Sequence, residues 1–206
     1  MDLSLKGMRA LVCGSSQGIG KEIAIELANE GVEVFLIARN EEKLNSVLNE
    51  LSKKNNQNHS YIVADFENES DLKNKIEKFT SDNKIKIDIL INNSGGPPPG
   101  KITDAKISDF EKYMKMHLHC SHLLSQLFLP NMKKNRYGRI INIISISVKS
   151  PINNLGVSNT VRWAMASWAK TLSNEVAEYG VTVNNILPGF TTVSYTHLRA
   201  HETVGN

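Results

Sequence analysis

Short apolar stretches alternate along the chain with longer segments in which apolar residues recur every three or four positions. Short apolar runs are typical of buried strands, and the longer pattern is typical of amphipathic helices. The pattern predicts strands at 10–13, 33–38, 60–64, 87–92, 139–145 and 181–187. It predicts helices near 18–29, 41–53, 69–81, 108–134 and 155–179.

The order of these elements predicts the fold class. Strands that alternate with helices at this spacing form βα units, and such units build a parallel sheet. Several of the runs are almost entirely apolar, as expected for strands covered on both sides. The sequence therefore predicts an α/β fold, a doubly wound parallel sheet with helices on both faces.

Composition adds limits rather than a function. The 206 residues, 40% of them hydrophobic, suit a single domain with a sizeable core. The net charge of +3 is spread over mixed signs, so we expect no nucleic-acid partner. No apolar run is long enough to span a membrane, the first residues do not resemble a signal peptide, and two cysteines make no disulfide framework. We therefore expect a cytoplasmic protein that does not bind membranes.

A glycine-rich turn carries the strongest chemical signal. Gly14, Gly18 and Gly20 follow the first predicted strand and open the first helix. Free N–H groups at the start of a helix bind the diphosphate of a dinucleotide, and glycines let the backbone approach it. A tight turn with no ligand is the alternative. The Gly-xxx-Gly-x-Gly spacing resembles that of the short-chain dehydrogenase/reductase family.

Four further motifs strengthen this resemblance, in the family's order and at the ends of later strands. They are Asp65-Phe66, Asn92-Asn93-Ser94-Gly95 (similar to the family's Asn-Asn-Ala-Gly), the serine at Ser145, and Asn184-Asn185-Ile186-Leu187-Pro188-Gly189. The resemblance covers residues 8 to 192 and implies a single Rossmann-like NAD(P)-binding domain over 1–192. It assigns to the cofactor Gly14, Ser15, Ser16, Gly18, Ile19, Gly20, Asp65, Phe66, Asn93, Ser94, Gly95, Arg162, Pro188 and Gly189.

The end of the second strand bears on the choice of cofactor. A carboxylate there would bind the ribose hydroxyls and repel a 2′-phosphate, whereas this chain has Arg39. A guanidinium pairs well with phosphate, so we expect NADP(H) to be preferred over NAD(H). A plain surface arginine is the alternative.

The catalytic pattern of the family is not complete. Aligned on Ser145, the family's tyrosine position is Ser158 and its lysine position is Arg162, and the relay asparagine position is His117. No Tyr-xxx-Lys occurs anywhere in the chain. A serine hydroxyl is a far weaker acid than a phenol, and an arginine stays protonated. The pattern looks like a divergent branch that resembles 3-oxoacyl-acyl-carrier-protein reductases.

These replacements leave three hypotheses open. In the first, the enzyme reduces a carbonyl, with Ser145 and Ser158 polarising the oxygen, His117 supplying a proton through water and Arg162 positioning the cofactor or an acidic substrate. In the second, the chain binds NADP(H) without chemistry, as a sensor or partner subunit. In the third, it is an oxidoreductase with different chemistry. If the chain is an enzyme, we expect its substrate to be a small carbonyl or alcohol compound. The 3-oxoacyl thioesters are one candidate class.

The remaining features add little chemistry. His119 and His122 share a helix face, but no carboxylate or cysteine completes a metal site, so no metal is expected. Residues 193–206 resemble the in-frame translation of a sequencing adapter, and we treat them as a non-native tail that takes the place of the family's last strand. The two long helices suggest a homo-oligomer, a dimer or tetramer, as in the family.

Overall fold

The computed structural model describes residues 3–82 and 85–189. Six strands form one sheet: β1 (Arg9–Cys13), β2 (Glu33–Ala38), β3 (Ser60–Val63), β4 (Ile89–Asn92), β5 (Gly138–Ile143) and β6 (Val181–Ile186). All are parallel, in the order β3-β2-β1-β4-β5-β6. The order reverses between β1 and β4, and ligands of such sheets bind at that point, outside the carboxyl ends of the strands.

The helices connect the strands as α1 (Gly18–Asn29), α2 (Glu41–Glu50), α3 (Glu69–Asp82), α4 (Ile107–Met114), α5 (Cys120–Asn135) and α6 (Gly156–Val176). None of them is long and apolar enough to cross a membrane. The doubly wound α/β fold predicted from the sequence is confirmed. The tail at 193–206, which was expected to take the place of the family's last strand, lies outside the described residues.

Residues of the central strand β1 alternate between two cores, which is why the strand is apolar after Arg9. Leu11 and Cys13 of β1 face one side with residues of α3, α5 and α6. Ala10 and Val12 face the other side with residues of α1 and α2. Burial on both faces removes the polar alternation that a half-exposed strand would show.

One predicted helix is wrong as a single element. The segment 108–134 is two α-helices joined by a π-helical turn, Lys115–His119. The π turn adds one residue between α4 and α5 without interrupting the helical backbone. The apolar pattern therefore runs on across it, and the sequence shows no boundary there. Such turns often occur at functional sites, and this one carries His117.

Smaller differences concern element ends. β5 ends at Ile143 rather than at 145, because Ser145 begins a short 3-10 turn, Ile146–Val148, whose Ser147 amide donates to the Ser145 hydroxyl. α2 ends at Glu50 instead of 53, and the last predicted turn of α6 is a 3-10 helix, Ala177–Tyr179.

A ladder of amides ties three strands together near the carboxyl edge. Asn92, Asn142 and Asn185 lie in register on β4, β5 and β6. Asn92 Nδ2 donates to Asn142 Oδ1 at 2.8 Å, and Asn142 Nδ2 donates to Asn185 Oδ1 at 3.0 Å. These bonds join the side chains of the strand ends that border the cavity described next.

Candidate active site

A cavity of about 460 Å³ lies along the carboxyl ends of the strands. This volume is in the range of small-molecule and cofactor sites. At one end it is lined by Arg39, Asn40 and Lys43, and in the middle by the glycine turn. The other end is lined by Ser145, Ser158, Arg162, Pro188 and Gly189. Residues far apart in the sequence therefore meet in one groove.

The glycine turn is built so closely that side chains cannot be added. Gly14 and Gly18 both have φ of +59°, a backbone conformation that favours glycine. A Cβ at Gly14 would lie 2.6 Å from the Asn93 carbonyl oxygen, and one at Gly20 would lie 2.3 Å from the Gly14 carbonyl oxygen. Gly20 is thus needed for packing and does not itself line the cavity.

Asn93 holds this turn from the neighbouring strand. Its Nδ2 donates to the Cys13 and Gly14 carbonyl oxygens, both at 3.2 Å. The Asn93 side chain, which follows β4, therefore holds the glycine turn that follows β1 in place.

The start of α1 faces the cavity through Gly18 and Ile19. Its N-cap residue, Gln17, makes no side-chain capping bond, and its first turn contains no acidic residue. The first N–H groups of a helix have no partners inside it, and the helix dipole adds positive potential there. This arrangement suits the diphosphate of a dinucleotide.

Ser15 is not at the cavity, although the sequence predicts it as a cofactor ligand. It is fully buried, and its hydroxyl accepts a hydrogen bond from the Ile37 amide at 3.0 Å. The side chain therefore joins the end of β1 to β2. Ser16, which follows it, lines the cavity, as do Asp65 and Phe66.

The end of the cavity near β2 is cationic. Arg39 is 63% exposed and lies 4.0 Å from Asp65 and 3.6 Å from Glu67. Lys43 also lines this end and donates to Gln17 Oε1 at 2.8 Å. The sequence analysis did not single out Lys43. Its position in the first turn of α2, three residues after Asn40, is a signal that could have found it.

The opposite end holds the two predicted serines. Ser145 and Ser158 both line the cavity, together with Ser94, Gly95, Pro188 and Gly189. The Ser145 hydroxyl accepts a hydrogen bond from the Ser147 amide at 3.1 Å, which leaves its own proton free to donate. Met116 and Gly96, which the sequence analysis did not assign, also line the cavity.

Arg162 is a buried cation, with 9% of its surface exposed. Its Nη1 donates to the Ile143 carbonyl oxygen at 2.9 Å, while its Nε has no hydrogen-bond partner among the described residues. Burial lowers the pKa of the guanidinium to about 10. A buried donor left unpaired costs about 1–3 kcal/mol, and more when it is charged.

His117 is also buried and does not line the cavity. Its Nδ1 lies 2.8 Å from Ser94 Oγ, and its Nε2 has no partner among the described residues. Burial, reinforced by the charge of Arg162, lowers its pKa well below 6.5; a backbone interaction with Gly95 opposes this only weakly. His117 is therefore neutral near pH 7 and reaches the cavity only through Ser94.

The other histidines of this segment are placed differently. His119 lies 2.8 Å from Glu69, and His122 accepts a hydrogen bond from Trp168 at 3.3 Å. Over 3–82 and 85–189, no group of three or more His, Cys, Asp or Glu side chains could hold a metal ion.

Comparison with known proteins agrees with this geometry. The family model for short chain dehydrogenase matches residues 8–203. The chain belongs to the short-chain dehydrogenase family. It is 35% identical over 190 residues to the 3-oxoacyl-[acyl-carrier-protein] reductase of Rickettsia felis, which covers 91% of this chain and 74% of that protein. The corresponding Aquifex aeolicus protein is 31% identical over 98% of this chain and 81% of its own length.

Solved structures of reductases have the same fold. L-sorbose reductase from Gluconobacter frateurii, complexed with NADPH and L-sorbose, is 28% identical with a TM-score of 0.87, covering 94% of this chain and 73% of its own. The 3-ketoacyl-(acyl-carrier-protein) reductase of Brucella melitensis, complexed with NADH, is 25% identical with a TM-score of 0.83, covering 92% and 78%.

These findings confirm three predictions: the short-chain dehydrogenase family, the Rossmann-like fold and the class of NAD(P)-dependent oxidoreductase. The uncapped start of α1 and the glycine cradle fit a nicotinamide dinucleotide. Ser145, Ser158 and Arg162 lie together at one end of this groove.

Proposed function

We propose that the chain is an NADP(H)-dependent reductase of small carbonyl compounds, with a catalytic set different from the family's tyrosine and lysine. The observation that carries this proposal is the single groove that joins the glycine turn to Ser145, Ser158 and Arg162. The names of the first relatives make a 3-oxoacyl thioester one substrate to test.

The preference for NADP(H) is supported by the charges beside β2. Arg39 and Lys43 line the same end of the groove. Asp65 and Glu67 lie near Arg39 at 4.0 and 3.6 Å, so the guanidinium is partly screened, but 63% of its side chain stays exposed. A 2′-phosphate carries more charge than a surface carboxylate and pairs well with a guanidinium.

The bound reduced cofactor would supply the hydride. On the protein side, the hydroxyls of Ser145 and Ser158 donate hydrogen bonds to the substrate oxygen. The Arg162 guanidinium adds a positive charge to the same end of the groove, where it holds the cofactor or an acidic substrate in place. Because no tyrosine lines the groove among the described residues, the alkoxide takes its proton from a water molecule held by these hydroxyls, and bulk solvent neutralises the hydroxide that remains.

His117 has a different role in this scheme from the one that the sequence predicts. A histidine that is neutral near pH 7 and reaches the groove only through a serine is poorly suited to supply a proton. We infer that it is a positioning residue that fixes the hydroxyl of Ser94 by the 2.8 Å hydrogen bond. Ser94 then contacts substrate or water in the cavity.

A homo-oligomer and residence in the cytoplasm remain part of this proposal. Ile107 at the start of α4 is 74% exposed, and Trp163 on α6 is 49% exposed. Large exposed apolar side chains on neighbouring helices are typical of contact surfaces. Sedimentation of wild type and of an Ile107→Glu variant tests this, because the variant is expected to shift to the monomer.

Turnover is tested by NADPH consumption with a panel of ketones, 2-oxo acids and 3-oxoacyl thioesters. We expect at least one class to be reduced, and the Ser145→Ala and Ser158→Ala variants to lower kcat by at least tenfold with NADPH binding unchanged. Saturable NADPH binding without turnover on any compound would contradict the reductase and favour a non-catalytic NADP(H)-binding protein.

A further inference from the structure

The charge of Arg162 has no counter-ion among the described residues. Its only polar contact there is the bond from Nη1 to the Ile143 carbonyl. Burial alone accounts for its lowered pKa, so no carboxylate offsets the charge. The nearest titratable neighbour on the π turn, His117, is neutral near pH 7. A buried cation of this kind is costly unless an anion pairs with it.

The orientation of the guanidinium leaves one edge free. Nη1 is used by the main chain, whereas Nε has no partner among residues 3–82 and 85–189. Nε and Nη2 form the edge of the arginine fork that matches the two oxygens of a carboxylate. Gly96 lies next to this edge, and an added Cβ there would be 3.3 Å from Nη2. The absence of a side chain at Gly96 keeps this approach open.

The cofactor is not the expected source of the anion. Under the proposed function, its phosphates belong to the start of α1 and to the end of the groove lined by Arg39 and Lys43. Arg162 lies at the other end, with Ser145 and Ser158. The reacting end of a nicotinamide cofactor carries no negative charge, so, with no carboxylate partner among the described residues, the substrate is the expected source of the anion.

We propose that Arg162 binds a carboxylate carried by the substrate, so that this chain acts on small carbonyl compounds that bear an acid group. This inference rests on the proposed reductase function. It names a substrate class different from a neutral thioester, and it gives the replacement of the family's lysine a chemical purpose.

A turnover assay tests this proposal by comparing acids with their neutral methyl esters. NADPH oxidation is measured with pyruvate, acetoacetate and levulinate, each against its methyl ester. We expect kcat/KM to favour the acid of at least one pair by tenfold or more, and Arg162→Met to remove that preference. Equal values for acids and esters in every pair that reacts would overturn the inference while leaving the reductase intact.

Binding tests the same claim without turnover. Malonate is titrated calorimetrically into the protein saturated with NADPH. We expect saturable binding of malonate that weakens at least tenfold in Arg162→Met. The loss is expected to be smaller in Arg162→Lys, which keeps the charge but lacks the paired donors of the guanidinium. Gly96→Ala narrows the approach to Arg162 and is expected to weaken binding several-fold. Circular dichroism confirms that each variant is folded.

The outcomes separate the two proposals. If NADPH binds and malonate does not, the carboxylate site is wrong. If Arg162→Met weakens NADPH binding as much as malonate binding, Arg162 serves the cofactor and the inference is overturned. If malonate binds through Arg162 but no carbonyl compound is reduced, the carboxylate site stands and the reductase function fails.

Discussion

Ser94 Oγ and His117 Nδ1 lie 2.8 Å apart, although the two residues are separated by 23 positions in the sequence. We infer from the resemblance to the family that alanine and asparagine are usual at these positions. The two side chains contact each other, and burial together with the charge of Arg162 lowers the pKa of His117. The three residues therefore interact beside one end of the groove.

A double-mutant cycle measures this connection. Ser94→Ala and His117→Leu each remove one partner of a partly buried hydrogen bond, and each is expected to lower the free energy of unfolding by about 1–3 kcal/mol. Because the partners interact, the double variant is expected to lose about 0.5–3 kcal/mol less than the sum. Additive losses in urea unfolding would show that the two side chains are not coupled.

The lowered pKa of His117 predicts a dependence of stability on pH. Above pH 6.5 the imidazole is neutral in both the folded and the unfolded chain. Below pH 6.5 the unfolded chain takes up a proton that the folded chain does not, so the free energy of unfolding falls by up to about 1.4 kcal/mol per pH unit until the folded pKa is reached.

Other groups titrate in the same range, so the measurement is a comparison. Urea unfolding of wild type and His117→Asn is followed between pH 5 and pH 8. We expect the difference between the two proteins to be constant above pH 7 and to shrink towards acid pH. A difference that grows on acidification would mean that His117 is protonated in the folded protein.

The cationic end of the groove predicts the cofactor preference. Arg39→Ala and Lys43→Ala are each expected to weaken NADPH binding by roughly tenfold, or about 1.4 kcal/mol, with NADH binding little changed. Lys54→Ala, which removes an exposed charge from the loop after α2, is the control and is expected to affect neither. Equal losses for NADPH and NADH would show that Arg39 does not recognise the 2′-phosphate.

Substitutions at a tightly packed glycine and at an open glycine of the site are expected to differ in their effect on stability. A Cβ at Gly20 would lie 2.3 Å from the Gly14 carbonyl oxygen, whereas a Cβ at Gly95 meets nothing within 4 Å. Gly20→Ala is therefore expected to lower stability by several kcal/mol and to abolish NADPH binding, since a backbone overlap has no cheap relief. Gly95→Ala is the matched control, and thermal unfolding should place it within about 0.5 kcal/mol of wild type.

Much of the fold could be predicted because burial on both faces leaves a direct trace in the sequence. β1 and β2 are apolar apart from Arg9 and Glu33 at their first positions, and their bounds were predicted to within a residue. Gly14 and Gly18 mark the turn because glycine adopts a backbone conformation with positive φ at the lowest cost. The π turn left no such trace, since apolar spacing continues from α4 into α5.

The site was predictable as a set of positions and less so as a set of contacts. Strand ends gave Asp65, Asn93 and Pro188, because their place follows from the topology. Two contacts depend on side-chain directions, which spacing along the sequence does not reveal. They are the hydrogen bond from the Ile37 amide to the buried Ser15 hydroxyl and the hydrogen bond between Ser94 and His117.

The central claim is that the groove at the carboxyl edge binds a reduced nicotinamide dinucleotide through the start of α1, and calorimetric titration with NADPH tests it most directly. We expect one saturable site per chain, weakened at least tenfold in Ser16→Asp, which brings a negative charge to the cavity wall at the glycine turn. No saturable heat with wild type, or equal affinity in the folded Ser16→Asp variant, would contradict the account.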